Sequence, residues 1–315
     1  MRGVYWFAML VSAVIPTYNR IKDLLVAIES ALGQTHKNLE ILVCDDGSTD
    51  DTARVLAARY GDRIRYLPKP NGGVSSARNW GIARANGEAV ALLDSDDEWM
   101  PEKIAEQVAI LKTRPQIDMV LTGSIELDDA RRPTGVVLNR RRDYPHDGHI
   151  LRYVVRSPAL YTSTAMVRTS VAREVGAFDT QLPTAEDLDF HLKIARRSQI
   201  AVIERPMMKY IRYADAKNSL SSLDRTYHDY VFVLERFLTK HQHELSKDDV
   251  REAYVRTYIK NARGLAGSDV MNAARFSLKS LPHVRRPTEA AALAKIGVIM
   301  GRQLARNAVK RVGGL

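Results

Sequence analysis

GEAVALLDSDDEW, residues 87–99, is the stretch that decides the fold, because a short apolar run ends there in a cluster of acids. The run Ala89–Leu93 predicts a fully buried β-strand. Ligands of an open α/β sheet bind just beyond the carboxyl ends of its strands, so the acids that follow stand where a ligand is expected.

Two of these acids, Asp94 and Asp96, point the same way if the chain stays extended. With Asp97 adjacent, the carboxylates repel each other unless a positive charge lies between them. Mg²⁺ and Mn²⁺ prefer oxygen ligands and often take one or two carboxylates, with substrate phosphates completing the shell. The alternative is a solvated acidic turn before a helix, whose dipole favours acids in its first turn.

On both sides of this stretch, short apolar runs alternate with helical patterns. Strands are predicted at Leu10–Ile15, Leu39–Cys44, Ile64–Leu67, Ala89–Leu93 and Asp118–Thr122. This alternation predicts an α/β fold with a mostly parallel, Rossmann-like sheet flanked by helices.

A second acidic pair, Asp45 and Asp46, follows the second predicted strand and would open on the same rim of the sheet. After the turn Asn71-Gly72-Gly73, a predicted helix carries Arg78 in its second turn. A helix N-terminus with a nearby arginine attracts a diphosphate. These features together predict a nucleotide whose base lies over the second strand and whose diphosphate reaches a metal at the fourth. The alternative for Arg78 is a solvated helical arginine.

Composition narrows the classes of partner. The 315 residues carry a net charge of +10, with a pI near 9.6, which suggests an anionic partner such as nucleic acid, a membrane surface or a phosphorylated substrate. The single cysteine, Cys44, excludes an internal disulfide framework and suits a reducing compartment. Met1–Ile15 is too short to span a bilayer and is interpreted as a strand. We therefore expect a cytoplasmic protein, with peripheral contact at the inner face of the membrane as a further option.

Several motifs in order resemble the family 2 glycosyltransferases of the GT-A fold, over roughly residues 10–220. They are VIPTYN (14–19), DDGSTD (45–50), NGG followed by SARN (71–79) and LDSDD (93–97). The resemblance implies an inverting transfer from a nucleotide-diphosphate sugar, with Mn²⁺ or Mg²⁺ as cofactor.

The resemblance also implies residue roles. The nucleotide-sugar-binding residues would be Pro16, Thr17, Tyr18, Asn19, Asp45, Asp46, Arg78, Asp94 and Ser95. Asp94 and Asp96 match the two acids of the family's DxD motif. Asp96 is expected to contact the metal directly, and Asp94 the metal or the ribose. Whether Asp45 or Asp46 bonds the base stays open.

Glu186 and Asp187 begin a helical pattern and resemble the family's ED motif. An inverting displacement needs a carboxylate that takes the proton from the acceptor hydroxyl, and the resemblance assigns this role of general base to Asp187. Stabilisation of the helix dipole by both acids is the alternative. His191, one turn later, is more typical of a structural histidine.

The segment that closes the site departs from the family pattern. Many members have a histidine after the position of Arg212, whereas this chain has Tyr213 and Ala214, so the resemblance does not supply a third protein ligand to the metal. Arg212 or Lys217 would serve the diphosphate instead. The basic run Arg140–Arg142 is either a solvated face or a contact for an anionic acceptor.

Beyond about residue 222 the pattern changes to helices alone, so we predict a catalytic domain at 1–222 and a helical, basic region at 223–315. From Arg285 onward, seven lysines and arginines stand against one acid, Glu289. A basic amphipathic helix can lie on an anionic membrane, which would suit a lipid-linked glycan acceptor in cell-surface polysaccharide synthesis. The alternative is packing against the catalytic domain or a second copy of the chain in an oligomer.

Three rival functions are weaker. A nucleic-acid-binding protein would have a basic patch interleaved with aromatic residues, whereas here acids cluster at the sheet rim. A nucleotidyltransferase would have glycines in the loop after the first strand. A catalytically degenerate scaffold is disfavoured by the intact Asp94, Asp96 and Asp187. The sequence leaves the sugar, the nucleotide, the acceptor and the linkage open.

Overall fold

The structure is a computed structural model that describes residues 9–138, 147–157, 161–213 and 224–312, with side chains up to residue 308. It divides into two compact units. The first comprises Met1–Leu151 and Ala159–Ala214, and the second comprises Arg152–Pro158 and Asp215–Leu315. Arg140–Arg142 and Lys217, two of the predicted contacts, lie outside the described residues.

Nine strands within the described ranges form one sheet in the first unit. They are β1 (Val11–Thr17), β2 (Leu39–Asp45), β3 (Arg65–Pro68), β4 (Ala89–Leu92), β5 (Glu98–Trp99), β6 (Ile117–Leu127), β7 (Pro133–Leu138), β8 (Met166–Arg168) and β9 (Gln199–Ile211). The spatial order is β3-β2-β1-β4-β8-β6-β9-β5, with β7 paired to β6.

Helices connect and cover these strands. In chain order the helices of the first unit are α1 (Ile21–Leu32), α2 (Thr52–Tyr60), α3 (Val74–Arg84), α4 (Lys103–Thr113), α6 (Thr169–Glu174) and α7 (Glu186–Arg197). The helix α5 (Leu151–Arg156) belongs to the second unit apart from its first residue. The mixed α/β architecture confirms the predicted fold class.

The first half of the sheet is parallel, as the alternation of strands and helices predicts. In β3-β2-β1-β4 every neighbouring pair is parallel, and Thr17 lies opposite Asp45 in the register of β1 with β2. Every residue of β1 is buried, because helices cover both faces of a parallel sheet. This register brings the loops after β1, β2 and β4 to one rim.

The other half of the sheet is mixed. The short strand β8 lies antiparallel between β4 and β6, and β6 also pairs parallel with β9 and antiparallel with β7. Thr162–Thr164 forms a 3₁₀ turn directly before β8. That turn lies beside the end of β4 and shapes the acidic loop described below.

Close packing fixes α3 on the parallel strands. A Cβ atom on Gly81 of α3 would stand 2.6 Å from Cys44 Sγ and 2.6 Å from a methyl carbon of Val14. Only glycine allows this approach, so the absence of a side chain at position 81 lets α3 pack closely on β1 and β2 and fixes the position of its N-terminus. Cys44 is buried with a free thiol, as expected for a small apolar side chain at the end of a strand.

The second unit is helical. It contains α8 (Asp224–His241), α9 (Lys247–Leu265), α10 (Val270–Ser280) and α11 (Pro287–Val312), packed around Tyr258, Leu265, Phe276 and Ile296. Ser246 caps α9 and Asp269 caps α10 by accepting backbone N–H bonds. Among the helices that the structure describes, none is both long and apolar enough to cross a membrane.

Candidate active site

The acidic loop after β4 is a tight turn fastened by Ser163. The Asp97 N–H donates to the Asp94 carbonyl at 3.1 Å, and the Asp94 N–H donates to Ser163 Oγ at 2.9 Å. The same hydroxyl donates to Asp97 Oδ2 at 2.5 Å, and the Ser163 carbonyl accepts from Trp99 Nε1 at 2.9 Å. Ser163 therefore sets the shape of this acidic turn, residues 94–97, which is called the DxD turn below because it carries Asp94 and Asp96. Sequence reasoning missed it, because an isolated serine before a strand carries no signal of such a contact.

Arg78 joins three of the predicted motifs. Its guanidinium donates to Asp94 Oδ1 at 2.6 Å and to Glu186 Oε1 at 2.7 Å, and it lies 5.0 Å from the centre of the Phe178 ring. The side chain is almost completely buried. Burial alone would lower the pKa of Arg78, but the charges of Asp94 and Glu186 outweigh it and raise the pKa. The arginine is therefore a permanent cation between the DxD turn and the ED pair.

Asp96 and Asp97 share a site that disfavours several negative charges. Burial raises the pKa of Asp96, the adjacent Arg20 guanidinium opposes that rise, and Asp94 adds to it. Burial, followed by the charges of Asp96 and Asp94, raises the pKa of Asp97 well above its usual range. Arg20 donates a hydrogen bond to Asp96 Oδ2, and the Asp96 side chain still exposes 24% of its surface.

Asp45 and Asp46 lie at the same rim, where both are buried and hydrogen-bonded to the protein. Asp45 accepts from the Ser48 N–H at 2.9 Å and from the Tyr66 hydroxyl at 2.5 Å. Asp46 accepts from Lys69 Nζ at 2.5 Å, from the Gly72 N–H at 3.0 Å and from the Gly73 N–H at 2.7 Å. Asp46 thus fixes the glycine turn that begins α3, and Asp45 shapes its own loop.

The residues after β1 form the edge of the predicted nucleoside pocket. Pro16 and Thr17 are buried in β1, and Tyr18 exposes 50% of its surface. Asn19 has a left-handed backbone with φ of 48°. Its Oδ1 accepts from the Thr49 N–H at 2.7 Å, so it ties this loop to the one after β2. The buried hydroxyls of Thr17 and Ser75 have no hydrogen-bond partner among the described residues.

The ED pair begins α7, directly after Ala185, whose φ of 59° is left-handed. Glu186 is buried against Arg78, whereas Asp187 is half-buried and accepts from the Leu188 N–H at 2.7 Å. A non-glycine residue in this conformation is strained, and such strain is common where a chain must place functional side chains. The tertiary fold therefore brings Glu186 to the DxD turn across more than 90 residues of sequence.

His191, one turn after Asp187, is buried with both ring nitrogens lacking a hydrogen-bond partner within the described residues. Burial, with a further contribution from the Arg78 charge, lowers its pKa to about 3, and the nearby Asp187 backbone opposes that shift only in part. The imidazole is therefore neutral at physiological pH. Nothing in this environment contradicts the structural role expected from its position on the helix.

The acidic turn suits a hard divalent cation that is completed by other oxygen ligands. Asp94 and Asp96 offer carboxylate oxygens, the donors that Mg²⁺ and Mn²⁺ prefer. No group of three metal-binding side chains occurs among the described residues. Ser95, between the two acids, is half-buried. A metal held here would take its remaining ligands from water and a bound phosphate.

Comparison with known proteins found a matching family model and several related sequences. The family model described as glycosyl transferase family 2 matches residues 12–176. A glycosyltransferase of Rickettsia typhi is 32% identical over 235 residues, which cover 74% of this chain and 73% of that protein. The chondroitin synthase of Pasteurella multocida is 26% identical over 73% of this chain but only 23% of its own length. Other Rickettsia relatives are also longer, since the matched region covers about a third of them.

A solved structure shares the fold. The mannosyltransferase of Pyrobaculum calidifontis, in complex with GDP-Man and Mn²⁺, aligns over 98% of this chain and 88% of its own, with a TM-score of 0.58 and 19% identity. At that identity the likeness concerns the fold alone.

Proposed function

Because the chain belongs to glycosyltransferase family 2, we propose that it transfers a sugar from a nucleotide-diphosphate sugar to an acceptor hydroxyl, with inversion at the anomeric carbon. The contact that carries this proposal is the Arg78 bridge, which brings the DxD turn and the ED pair to one place through Asp94 and Glu186. Metal-dependent transfer needs both motifs within reach of one donor molecule.

The donor would lie along the rim formed by the loops after β1, β2 and β4. The exposed Tyr18 ring and the unpartnered Thr17 hydroxyl support a nucleoside pocket there. Asp45 and Asp46 would form the floor of that pocket, and a base would bond either carboxylate beside its protein partners. Arg78 and the N-terminus of α3 favour the negative charge of a diphosphate.

Asp96 and Asp94 would hold Mn²⁺ or Mg²⁺ at the diphosphate. The bound cation supplies charge that offsets the negative charge developing on the leaving diphosphate. The half-exposed Ser95, between the two ligands, would contact the donor.

Asp187 is the proposed general base. As the acceptor oxygen attacks the anomeric carbon, its proton passes to the Asp187 carboxylate, the new glycosidic bond forms, and the bond to the diphosphate breaks. Attack on the face opposite the leaving group inverts the configuration. Glu186, held by Arg78, would position the first turn of α7 so that the base faces the acceptor.

The proposed acceptor is a glycan or a lipid-linked glycan, in the synthesis of a cell-surface polysaccharide. The match to a chondroitin synthase supports a growing glycan chain as acceptor class. We assign catalysis to residues 1–222, the region that contains every proposed site residue.

The helical region is the proposed contact with an anionic membrane surface. Residues 224–315 contain 17 of the 47 lysines and arginines but only nine of the 37 acids. On α10, Met271 is 81% exposed and Leu278 is 65% exposed, with Arg275 between them on the same face. Long apolar side chains beside basic ones suit a layer of anionic lipid headgroups. This location is compatible with a protein at the cytoplasmic face of a membrane, with oligomer formation as the competing use of the surface.

A vesicle flotation assay tests the membrane contact. Met271→Ser with Leu278→Ser should reduce flotation with vesicles of about one-third phosphatidylserine, while Phe232→Ser, an exposed apolar position on α8, serves as the matched control. Equal loss with the control, or no flotation of the unmodified protein, would contradict the assignment to α10. A change in oligomeric state instead would assign this face to a second copy of the chain.

A product assay tests the reaction itself. Purified protein with UDP-, GDP- or dTDP-sugars, Mn²⁺ and an extract of lipid-linked glycans should release one nucleoside diphosphate. Asp187→Asn should lower that release by about 10²–10⁴-fold while nucleotide binding persists. The control is Asp189→Asn, two residues away on α7, where the carboxylate pairs with Lys193. An equal loss of nucleoside diphosphate release in both variants would contradict the assignment of Asp187 as the base. Turnover in the absence of metal would contradict the metal-dependent mechanism.

A further inference from the structure

Arg20 is a second cation at the acidic turn. Nothing in the sequence around Arg20 identifies it as a residue of this site. It lies in the loop after β1, immediately before α1, and its Nη1 donates to Asp96 Oδ2. Its guanidinium also lies 5.8 Å from the centre of the Tyr213 ring. Asp96, the carboxylate proposed to bind metal most directly, is thus already paired with a side chain of the protein.

We propose that Arg20 is an internal counterion that competes with the metal for Asp96 and leaves it when the diphosphate of the donor arrives. This inference rests on the proposed function, because it concerns the same metal and donor site. Arg20 would then couple the two ligands: the diphosphate draws the guanidinium away, and the freed carboxylate takes the cation.

The charges of the turn support this coupling. Two guanidinium groups, Arg20 and Arg78, face the three carboxylates of Asp96, Asp94 and Glu186, so most of the negative charge of the site is already neutralised without a metal. A divalent cation that binds alone must displace the Arg20–Asp96 ion pair, and it turns the net negative charge of these groups into a net positive one. A diphosphate that binds first supplies the compensating negative charge, and guanidinium groups bind phosphate oxygens in a bidentate geometry.

Arg20 is also placed to move, whereas Arg78 is not. The Arg20 side chain exposes 31% of its surface and the Arg78 side chain 5%, and Arg78 holds two carboxylates at once. A half-exposed arginine can change rotamer towards solvent without opening the core. Arg78 would stay in place as the fixed cation of the site.

Arg131 provides a matched control on the same rim. It pairs with Asp23 Oδ1 at 3.3 Å and lies 3.7 Å from Glu98 Oε2, and its side chain exposes 34% of its surface, close to the value for Arg20. The two variants Arg20→Gln and Arg131→Gln each remove one positive charge from this region. Of the two arginines, only Arg20 is paired with Asp96.

The first measurement is the affinity of the nucleotide-free protein for Mn²⁺, by electron paramagnetic resonance of the free ion. Arg20→Gln should bind Mn²⁺ about tenfold more tightly than the unmodified protein, because the competing cation is gone, while Arg131→Gln should change the affinity less than about threefold. Equal tightening in both variants would show a general charge effect, and unchanged or weaker binding in Arg20→Gln would show no competition. Either result overturns the inference.

The second measurement is the affinity for inorganic pyrophosphate without metal, by calorimetry in the presence of a chelator. Arg20→Gln should weaken this binding about tenfold and Arg131→Gln should not, since the displaced guanidinium is proposed to bind the diphosphate. Arg20→Lys keeps the charge and should bind Mn²⁺ about as the unmodified protein does, whereas its pyrophosphate binding should lie between that of the unmodified protein and Arg20→Gln, because an ammonium group lacks the bidentate geometry. Circular dichroism confirms folding of each variant. Mn²⁺ binding that persists in Asp96→Asn would refute the proposed metal site. If Asp96→Asn abolishes Mn²⁺ binding but Arg20→Gln does not strengthen it, only the competition by Arg20 is refuted.

Discussion

Replacement of Arg78 by methionine is the most direct test of how the site is held together. The side chain is almost fully buried and bonds Asp94 at 2.6 Å and Glu186 at 2.7 Å, so its loss leaves two carboxylates facing each other without a cation. Removing one partner of a buried ion pair typically lowers the free energy of unfolding by about 3–5 kcal/mol. We expect a loss in that range for the first unit.

A second substitution separates the charge effect from lost packing. In the double variant Arg78→Met, Glu186→Gln, one of the two uncompensated charges is gone, so we expect recovery of about 1–2 kcal/mol of the loss. The matched control is Arg59→Met, which breaks the exposed pair with Glu29 at 2.9 Å. A surface pair of this kind should contribute less than about 1 kcal/mol.

Urea unfolding followed by tryptophan fluorescence provides the assay, because Trp80 and Trp99 belong to the first unit. The shift in transition midpoint multiplied by the slope gives the change in free energy. The reasoning is refuted if Arg78→Met costs no more than Arg59→Met, or if Glu186→Gln adds to the loss instead of reducing it.

Three further substitutions test single packing and charge arguments. His191→Leu removes two unpartnered ring nitrogens and should leave stability equal or higher at pH 7. Below pH 6.5 only the unfolded chain protonates this histidine, so the unmodified protein loses about 1.4 kcal/mol of unfolding free energy per pH unit through it. The leucine variant should lack this part of the loss. Lys103→Met should raise the free energy of unfolding at pH 7. Burial lowers the pKa of Lys103 well below its usual range, so at pH 7 the unfolded chain holds the proton more readily and the folded state is penalised, a penalty that shrinks as pH rises. Gly81→Ala should lower stability by about 1–3 kcal/mol, since its Cβ would meet Cys44 and Val14 at 2.6 Å.

Thermal and urea unfolding between pH 4 and 9 measure all three. A fall in stability at pH 7 for His191→Leu would show that the imidazole makes a favourable contact. Destabilisation by Lys103→Met would show that the bond from its amine to Gln107 at 2.8 Å outweighs the burial of the amine. An unchanged midpoint for Gly81→Ala would show that α3 can shift away from β1 at little cost.

Local pattern determined the parallel half of the sheet. Runs such as Ala89–Leu93 are apolar throughout and are bounded by turn residues, and a strand buried on both faces requires that composition. The acids after β2 and β4 were therefore correctly placed at one rim, because parallel strands end on the same side. The mixed half was less predictable: β8 has three residues, too few for any periodicity, and its antiparallel position depends on neighbours distant in sequence.

Sequence pattern also singled out Asp94, Asp96 and Arg78, because charged residues beside turns and at helix starts follow local rules, and the resemblance to the family's ED motif singled out the Glu186-Asp187 pair. Their mutual contacts were decided only by the tertiary structure. Arg78 bonds Glu186 across 108 positions, and Ser163 fastens the acidic turn across 69. Arg20 lies 76 positions from Asp96. Local preferences act over a few residues, whereas these pairings depend on how strands and helices pack, and that packing is set by the burial of the whole core.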